Sequence, residues 1–102
     1  MTVAAPGDYG KPRPALVIQS DFFNAAHASI TVAPLTSTLL AAPLFRIALE
    51  PSSGNGLKQA SQVMVDKIIT LPRAKIGRVV GTVGDDAMIQ VTRALAVWLG
   101  IA

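Results

Sequence analysis

The sequence predicts a mainly β protein, an antiparallel barrel or strongly curled sheet followed by one C-terminal helix. Short runs of apolar or alternating residues recur along the chain, and most of them are separated by turn-forming residues. Only the last segment has the period of a helix. Many short, closely spaced strands indicate a curled antiparallel sheet. The predicted strands are residues 15–19, 29–33, 45–49, 61–70 and 77–83.

The predicted strands differ in how they are expected to be buried. Residues 15–19 form a nearly unbroken apolar run, which predicts a strand that is buried on both faces. Residues 45–49 alternate, which directs Ile47 inward and Arg46 outward. Residues 51–56, Pro-Ser-Ser-Gly-Asn-Gly, are the strongest turn signal in the chain and separate this strand from the next.

The last segment is predicted to be a structural helix. Apolar side chains recur there at helical spacing, at Met88, Val91, Leu95 and Leu99. Asp85 and Asp86 stand in the first turn, where the helix dipole favours carboxylates. Gly100 stands where a C-terminal cap is expected. Arg93 is the only cation on the polar face, which argues against a helix that lies on a membrane surface.

Composition limits the classes of protein to which this chain can belong. The 102 residues suit one domain, residues 1–102. Of these, 51% are hydrophobic and only 15% are charged, so part of the exterior is expected to be covered by a partner, most simply a second copy of the chain. The lack of Cys excludes disulfides and thiolate chemistry. Neither a membrane span nor a signal peptide is recognisable, so the cytoplasm is the expected compartment.

The charged side chains favour a polyanion as the partner over metal or nucleotide chemistry. His27 is the single histidine, which makes a metal site or a hydrolytic triad poorly supported, and no phosphate-binding glycine loop is present. The formal net charge is +3. Four cations follow one another without an intervening acid, namely Lys67, Arg73, Lys75 and Arg78. Such a patch suits a polyanion, although it is also typical of a solvated edge.

An arginine between two prolines leads into the strand at residues 15–19. Pro12 and Pro14 fix their own φ angles and disfavour helical geometry in the residue before each of them. Lys11 and Arg13 are therefore held extended and project to the same side. The interpretations are an arginine aimed at a ligand or a stiff loop with a solvated charge.

Polar side chains also interrupt the apolar pattern elsewhere. Residues 36–38, Thr-Ser-Thr, follow a predicted strand, where hydroxyls either cap a turn or bind a ligand. Asp66 and Lys67 interrupt residues 61–70, where charges are unfavourable unless they are paired. Asp66 either forms an ion pair with Arg13 or Lys67 or belongs to a site. Arginine, lysine and hydroxyl groups together suit binding of a phosphodiester and stabilisation of charge on phosphorus.

Five segments occur in an order that points to one protein family. They are residues 10–19 (Gly-Lys-Pro-Arg-Pro-Ala-Leu-Val-Ile-Gln), 32–37 (Val-Ala-Pro-Leu-Thr-Ser), 54–58 (Gly-Asn-Gly-Leu-Lys), 63–68 (Val-Met-Val-Asp-Lys-Ile) and the terminal helix. Together they resemble the MazF/PemK toxins, the endoribonucleases of type II toxin–antitoxin modules, over nearly the whole chain. The resemblance implies an SH3-like, curled antiparallel barrel with a C-terminal α-helix, a homodimer, and a cognate antitoxin that blocks the RNA groove.

The resemblance also implies the residues of the site and their chemistry. Arg13 and Thr36 correspond to the family's reactive pair. The residues implied to contact the substrate are Lys11, Ser37, Asp66 and Lys67. The implied activity is sequence-specific cleavage of single-stranded RNA without a metal or cofactor, through attack of the RNA's own 2′-hydroxyl. The general base is not implied, since arginine stays protonated and Asp66 is a candidate only if its geometry allows.

Departures from the family's pattern keep an alternative open. The first strand, at residues 1–5, is expected to be abbreviated, and the loop at residues 6–11 lacks the His or Glu of some members. Met64 stands where certain relatives have an arginine. The alternative is a non-catalytic toxin on the same fold that poisons a protein target such as DNA gyrase through residues 97–102. A peptide-binding SH3-like module is a third hypothesis, disfavoured because only 5% of the residues are aromatic.

Overall fold

One antiparallel sheet and a long C-terminal helix make up the protein. A computed structural model describes residues 1–7 and 11–101. Two short 3-10 turns, Val65–Lys67 and Arg73–Lys75, flank the sixth strand. The strands and helices are β1 (Thr2–Pro6), β2 (Pro12–Val17), α1 (Asp21–Asn24), β3 (Ser29–Thr36), β4 (Arg46–Leu49), β5 (Ser61–Met64), β6 (Ile69–Pro72), β7 (Val79–Gly81) and α2 (Asp85–Leu99).

The sheet is open at both ends. Its strands lie in the order β4-β5-β3-β2-β1-β7. Strand β6 lies outside this order and pairs with the first half of β3, whereas β5 pairs with the end of β3. Strands β4 and β7 end the order, and no pairing joins them within the described residues. The prediction of a mainly β, antiparallel fold with a C-terminal helix is confirmed, whereas the word barrel describes the open sheet only loosely.

The predicted strand at residues 61–70 is two strands with a turn between them. Strand β5 pairs with the end of β3, with Val63 opposite Leu35, whereas β6 pairs with the beginning of β3, with Leu71 opposite Ile30. The two pairings differ in register, and the 3-10 turn at Val65–Lys67 takes up the difference. Asp66 and Lys67 therefore lie in this turn and not inside a strand, which corrects the expectation from the sequence.

Strands β1 and β2 form a pair of five opposed residues. Strand β1, expected to be abbreviated, extends over 5 residues and pairs with β2 from Thr2 opposite Leu16 to Pro6 opposite Pro12, and with β7 on its other edge. Strand β2 begins earlier than predicted, because Pro12 and Pro14 are already extended and β1 supplies them with a neighbour.

The core consists of two clusters of buried side chains. The larger lies between α2 and the sheet and contains Leu16, Ala33, Leu35, Ile47, Leu49, Val63, Val65, Val91 and Ala94. The smaller is formed by Val3, Ala5, Ala15, Val17, Ile30 and Val32. Strand β2 contributes Leu16 to one cluster and Ala15 to the other, so the prediction of a strand buried on both faces is confirmed.

Helix α2 has the boundaries that its capping residues predict. Gly100 adopts the left-handed conformation with φ 75°, and its N–H donates to the carbonyls of Ala96 and Val97. Val91 is fully buried, whereas Leu99 at the end of the stripe is 54% exposed. Within the described residues, no helix is long and apolar enough to cross a membrane.

Candidate active site

A cationic cleft of about 970 Å³ opens where β2 begins and β3 ends. Its walls come from the start of β2, the loop after β3, the loop before β5 and the segment before β7. Four cations line it, namely Arg13, Lys58, Lys67 and Arg78. None of the lining residues within the described ranges is an acid or a histidine. The cleft is therefore suited to an anion.

Arg13 and Thr36 lie on the same face of the sheet, just beyond the paired part of β2 and β3. The pairing of these strands ends at Ala15 opposite Pro34. Arg13 stands two residues before Ala15 and Thr36 two residues after Pro34, so strand alternation directs both side chains to one face. Both residues line the cleft, which therefore presents a guanidinium and a hydroxyl group together.

The hydroxyl of Thr36 is oriented by the loop that follows it. The backbone N–H of Thr38 donates to Thr36 Oγ1 at 3.1 Å. Because this contact uses a lone pair of the oxygen, the hydroxyl proton remains available for donation to another acceptor. Ser37 and Thr38 also line the cleft, so the segment presents three hydroxyl groups.

Gly7, the residue that follows β1, lies close against the side chain of Arg13. Gly7 approaches the arginine so closely that a Cβ atom there would lie 2.2 Å from Arg13 Cγ and 2.6 Å from the Lys11 carbonyl oxygen. Contacts below 3.0 Å are not tolerated, so only glycine fits beneath this side chain. Together with the flanking prolines, Gly7 restricts the positions that the Arg13 stem can adopt.

The wall that carries Lys58 depends on one buried asparagine. Asn55 Oδ1 accepts the N–H groups of Ser52 and Leu57, both at 3.0 Å, and its Nδ2 donates to the Glu50 carbonyl at 2.8 Å. The side chain thereby connects the backbone before the turn, at Glu50, with the backbone after it, at Leu57. The end of the predicted turn leads directly into the wall of the cleft, since residues 56–59 line it.

The same wall rests against β7. Gly56 has φ 69°, and a Cβ atom there would lie 2.4 Å from the Val80 carbonyl oxygen. This close approach requires glycine for space and for backbone conformation. On the other side, Ala4 of β1 accepts from the Gly77 N–H at 2.7 Å and donates to the Arg78 carbonyl at 2.9 Å. These contacts place Arg78 beside the cleft.

Asp66 lies behind the cleft and pairs with two cations. Its Oδ1 is 3.7 Å from Arg46 Nε, and its Oδ2 is 3.7 Å from Lys67 Nζ. The side chains of Asp66 and Arg46 are 15% and 9% exposed. Alternation predicted that Arg46 points outward into solvent. This prediction is wrong, because the Arg46 side chain turns toward the Asp66 carboxylate. The expected ion pair of Asp66 with Lys67 is present, and the one with Arg13 is not.

The structure brings together four of the six predicted site residues. Arg13, Thr36, Ser37 and Lys67 line the cleft. Lys11 is exposed at the entrance to β2 and Asp66 lies behind Lys67, and neither is part of the lining. The loop at residues 6–11, where a His or Glu of some relatives is lacking, lies partly outside the described residues.

Lys58 and Arg78 line the cleft but were not predicted as site residues. Both carried a signal in the sequence, because Lys58 belongs to a segment of the family resemblance and Arg78 to the basic patch. That patch divides in the structure: the Arg73 side chain donates to the carbonyls of His27 and Asn24 and thereby fastens the loop after α1. His27 is an exposed loop residue, as predicted. Within the described residues, no group of three or more His, Cys, Asp or Glu side chains is placed to hold a metal ion.

Toxins of type II toxin–antitoxin systems are similar to this chain in sequence. The model of the PemK-like, MazF-like toxin of type II toxin–antitoxin system matches residues 2–99. A probable endoribonuclease MazF of Mycolicibacterium smegmatis is 48% identical over 102 residues, which covers 99% of this chain and 93% of that protein. Endoribonuclease MazF6 of Mycobacterium tuberculosis is 36% identical over 86 residues, 83% of this chain and 75% of that protein.

Solved structures of the same kind share the fold. The Mycobacterium tuberculosis toxin MazF-mt6 superposes with a TM-score of 0.86 at 25% identity and covers 99% of this chain and 97% of its own. A mycobacterial endoribonuclease in complex with its cognate antitoxin superposes with a TM-score of 0.82 at 27% identity, covering 99% and 93%.

The sequence matches establish the family to which the chain belongs. The predicted resemblance to the MazF/PemK toxins, and with it the enzyme class of endoribonuclease, is confirmed by the family match and by the 48% identical relative. The fold predicted from that resemblance is confirmed by the superposition on MazF-mt6. The chain belongs to the PemK-like, MazF-like toxins of type II toxin–antitoxin systems.

Proposed function

We propose that this chain cleaves single-stranded RNA at short sequence motifs, without a metal ion, and that the cationic cleft is its active site. The observation that supports this most directly is that Arg13 and Thr36 line the same cleft, together with three further cations. A phosphodiester is the anion that such a pair fits, because a guanidinium and a hydroxyl can hold its non-bridging oxygens together.

The proposed reaction is an internal transfer at phosphorus. The RNA's 2′-oxygen attacks the adjacent phosphorus while the bond from phosphorus to the 5′-oxygen breaks. The products are a 2′,3′-cyclic phosphate and a 5′-hydroxyl, and the proton lost from the 2′-hydroxyl is balanced by the proton that the 5′-oxygen gains. The protein's main task is to stabilise the negative charge that builds up on the non-bridging oxygens.

Arg13 and Thr36 are the proposed catalytic residues. The planar guanidinium of Arg13 donates two N–H groups to the non-bridging oxygens. Thr36 donates its hydroxyl proton to the same phosphate, since its oxygen already accepts from the Thr38 N–H. Both interactions strengthen as charge develops, which is the requirement for an effect on the chemical step.

The other predicted residues are proposed to bind the rest of the RNA strand. Ser37 contacts the scissile phosphate from the Thr36 side, and Lys67 contacts a neighbouring phosphate from inside the cleft. Lys11, exposed at the entrance to β2, meets the strand where it leaves the cleft. Asp66 acts on binding through Lys67, whose ammonium it holds at 3.7 Å.

The proton of the 2′-hydroxyl is proposed to leave to water. Asp66 is engaged by Arg46 and Lys67 and does not line the cleft, so its geometry does not suit a general base. The lining residues within the described part of the chain include no carboxylate or imidazole that could take its place. Charge stabilisation by Arg13 is then the larger contribution to the rate.

The proposed partners are a cognate antitoxin and a second copy of this chain. A structural relative was solved in complex with its cognate antitoxin. For this chain we propose that an antitoxin covers the cleft and blocks RNA. Homodimer formation is supported by apolar side chains at the end of α2, where Trp98, Leu99 and Ile101 are 50%, 54% and 77% exposed. The cytoplasm is proposed as the compartment because it contains the RNA.

The alternative, a non-catalytic toxin directed at DNA gyrase, receives no support from the comparisons. It rests on the C-terminal residues 97–102, of which residue 102 lies outside the described part of the chain. It also assigns no task to Arg13 and Thr36, which line the same cleft.

Cleavage of a long single-stranded RNA in the presence of EDTA tests the proposal. Wild-type protein is compared with Arg13→Ala and with Arg93→Ala, a control that removes an exposed arginine from α2, away from the cleft. We expect discrete cuts with 2′,3′-cyclic phosphate ends from wild type and Arg93→Ala, and a rate lower by about 100-fold or more for Arg13→Ala. The ends are identified by primer extension and phosphatase sensitivity.

Each other result removes a defined part of the proposal. Cleavage that is abolished by EDTA and restored by Mg²⁺ would overturn metal independence. Equal rates for wild type and Arg13→Ala would overturn the site. Pure wild-type protein that cuts no RNA would overturn the activity, and inhibition of gyrase would then be assayed.

A further inference from the structure

The loop after β3 is held to the neighbouring strand by one side chain. Gln62 Oε1 accepts the N–H of Leu40 at 3.0 Å, and Gln62 Nε2 donates to the carbonyl of Leu40 at 2.8 Å. The amide side chain thus forms the pair of bonds that a strand residue would form with its neighbour. No backbone of β5 reaches this part of the loop, since the pairing of β3 with β5 ends at Thr36 and Gln62.

The same residue holds both ends of the segment that carries the hydroxyl groups. In the backbone pairing, Gln62 lies opposite Thr36, the last residue of β3. Through its side chain, Gln62 holds Leu40, four residues later. Residues 37–39 are therefore closed into a short loop by a single amino acid. Within that loop, the Thr38 N–H donates to Thr36 Oγ1 at 3.1 Å.

We propose that Gln62 is a positioning residue, which acts on cleavage by fixing the loop that orients the Thr36 hydroxyl. This inference rests on the proposed function, because it concerns the step in which Thr36 donates to the phosphate. If the Leu40 contacts to Gln62 are lost, Leu40 keeps the bond from the Ala42 N–H to its carbonyl but is no longer fastened to β5. The loop then holds the Thr38 N–H less firmly against Thr36 Oγ1, and the hydroxyl loses its single preferred direction.

The consequence is expected in the rate of the chemical step and not in RNA binding. The four cations that line the cleft belong to other segments, and the side-chain hydrogen bonds of Gln62 go to Leu40. Small displacements of a group that contacts the reacting atoms lower rates strongly, by up to about 100-fold for a shift of about 1 Å. Loss of a group that only stabilised the fold would not separate kcat from KM in this way.

Gln62→Met tests the proposal because methionine keeps the length of the side chain and removes both hydrogen bonds. A matched control exists at the opposite end of β3. Gln19 Oε1 accepts the Thr31 N–H at 3.1 Å, and Gln19 Nε2 donates to the Ser29 carbonyl at 3.2 Å. Gln19→Met therefore removes the same kind of contact from the same strand, at a distance from the cleft.

Steady-state cleavage kinetics and amide hydrogen exchange are measured for both variants, and single-turnover rates confirm that kcat reports the chemical step. In Gln62→Met we expect kcat to fall about 30-fold and KM to change less than about threefold, with faster exchange at Leu40 and Thr38. The Val63 amide should stay protected, which shows that β5 remains folded. In Gln19→Met we expect faster exchange at Thr31 and a kcat within about twofold of wild type.

Three results would overturn the inference. A Gln62→Met variant in which the Leu40 amide hydrogen exchanges freely but kcat equals that of wild type would show that the loop does not position Thr36. Equal losses of kcat in the two variants would indicate a general effect on stability. Wild-type protein without any cleavage would overturn the proposed function and this inference with it, whereas the first two results leave the proposed function intact.

Discussion

Replacing Asn55 with alanine is expected to destabilise the protein and to collapse one wall of the cleft. Asn55 is 6% exposed, and its side chain forms three hydrogen bonds to the backbone of residues 50–57. Each such bond contributes about 1 kcal/mol net, so the loss should be about 3 kcal/mol. For a domain of this size, that corresponds to a fall in Tm of roughly 15 °C.

The free energy of unfolding is to be measured by urea denaturation at fixed protein concentration, because dimer formation would make it depend on concentration. Ser52→Ala is the matched control, since it removes only the bond from the Asn55 N–H to Ser52 Oγ at 3.1 Å. We expect a loss of about 1 kcal/mol for the control. A loss below about 1 kcal/mol for Asn55→Ala, or equal losses for the two variants, would refute the assignment of the turn to this side chain.

Three further predictions concern the cleft and its support. Thr36→Val should lower the cleavage rate about 100-fold without unfolding the protein, and an unchanged rate would show that its hydroxyl does not act. Lys58→Ala and Arg78→Ala should each reduce the slope of log binding constant against log salt by about 0.7 for single-stranded RNA, and an unchanged slope would remove that residue from the binding surface. Asp66→Asn should lower the free energy of unfolding by about 3 kcal/mol, because the guanidinium of Arg46, 9% exposed, loses its counter-charge. A loss below about 1 kcal/mol in denaturation would contradict this last prediction.

The strand with a nearly unbroken apolar run was predictable because its burial depends on a short-range pattern. Residues 15–19 predicted a strand buried on both faces, and Leu16 and Ala15 do lie in different clusters. The helix was predictable for the same reason, with Gly100 in the left-handed conformation that ends it. In both cases, the period of the side chains determines the outcome without reference to distant residues.

The break in the strand at residues 61–70 was not predictable from the local pattern. Whether Asp66 lies in a strand or a turn depends on how β5 and β6 pair with two halves of β3, and pairing register is a property of two strands. The burial of Arg46 has the same cause, because its partner Asp66 is distant in sequence and reaches it only when this turn forms.

The sequence by itself determined the family, the mainly β class and the two proposed catalytic residues, Arg13 and Thr36. Prolines, turn residues and the order of the motifs are features of the sequence that can be recognised without knowledge of tertiary contacts. Only the tertiary structure decided that Arg13 and Thr36 line one cleft, that Lys58 and Arg78 complete it, and that Gly7 must lie beneath the arginine. These relations join segments far apart in the chain, and the register of the sheet alone brings such segments together.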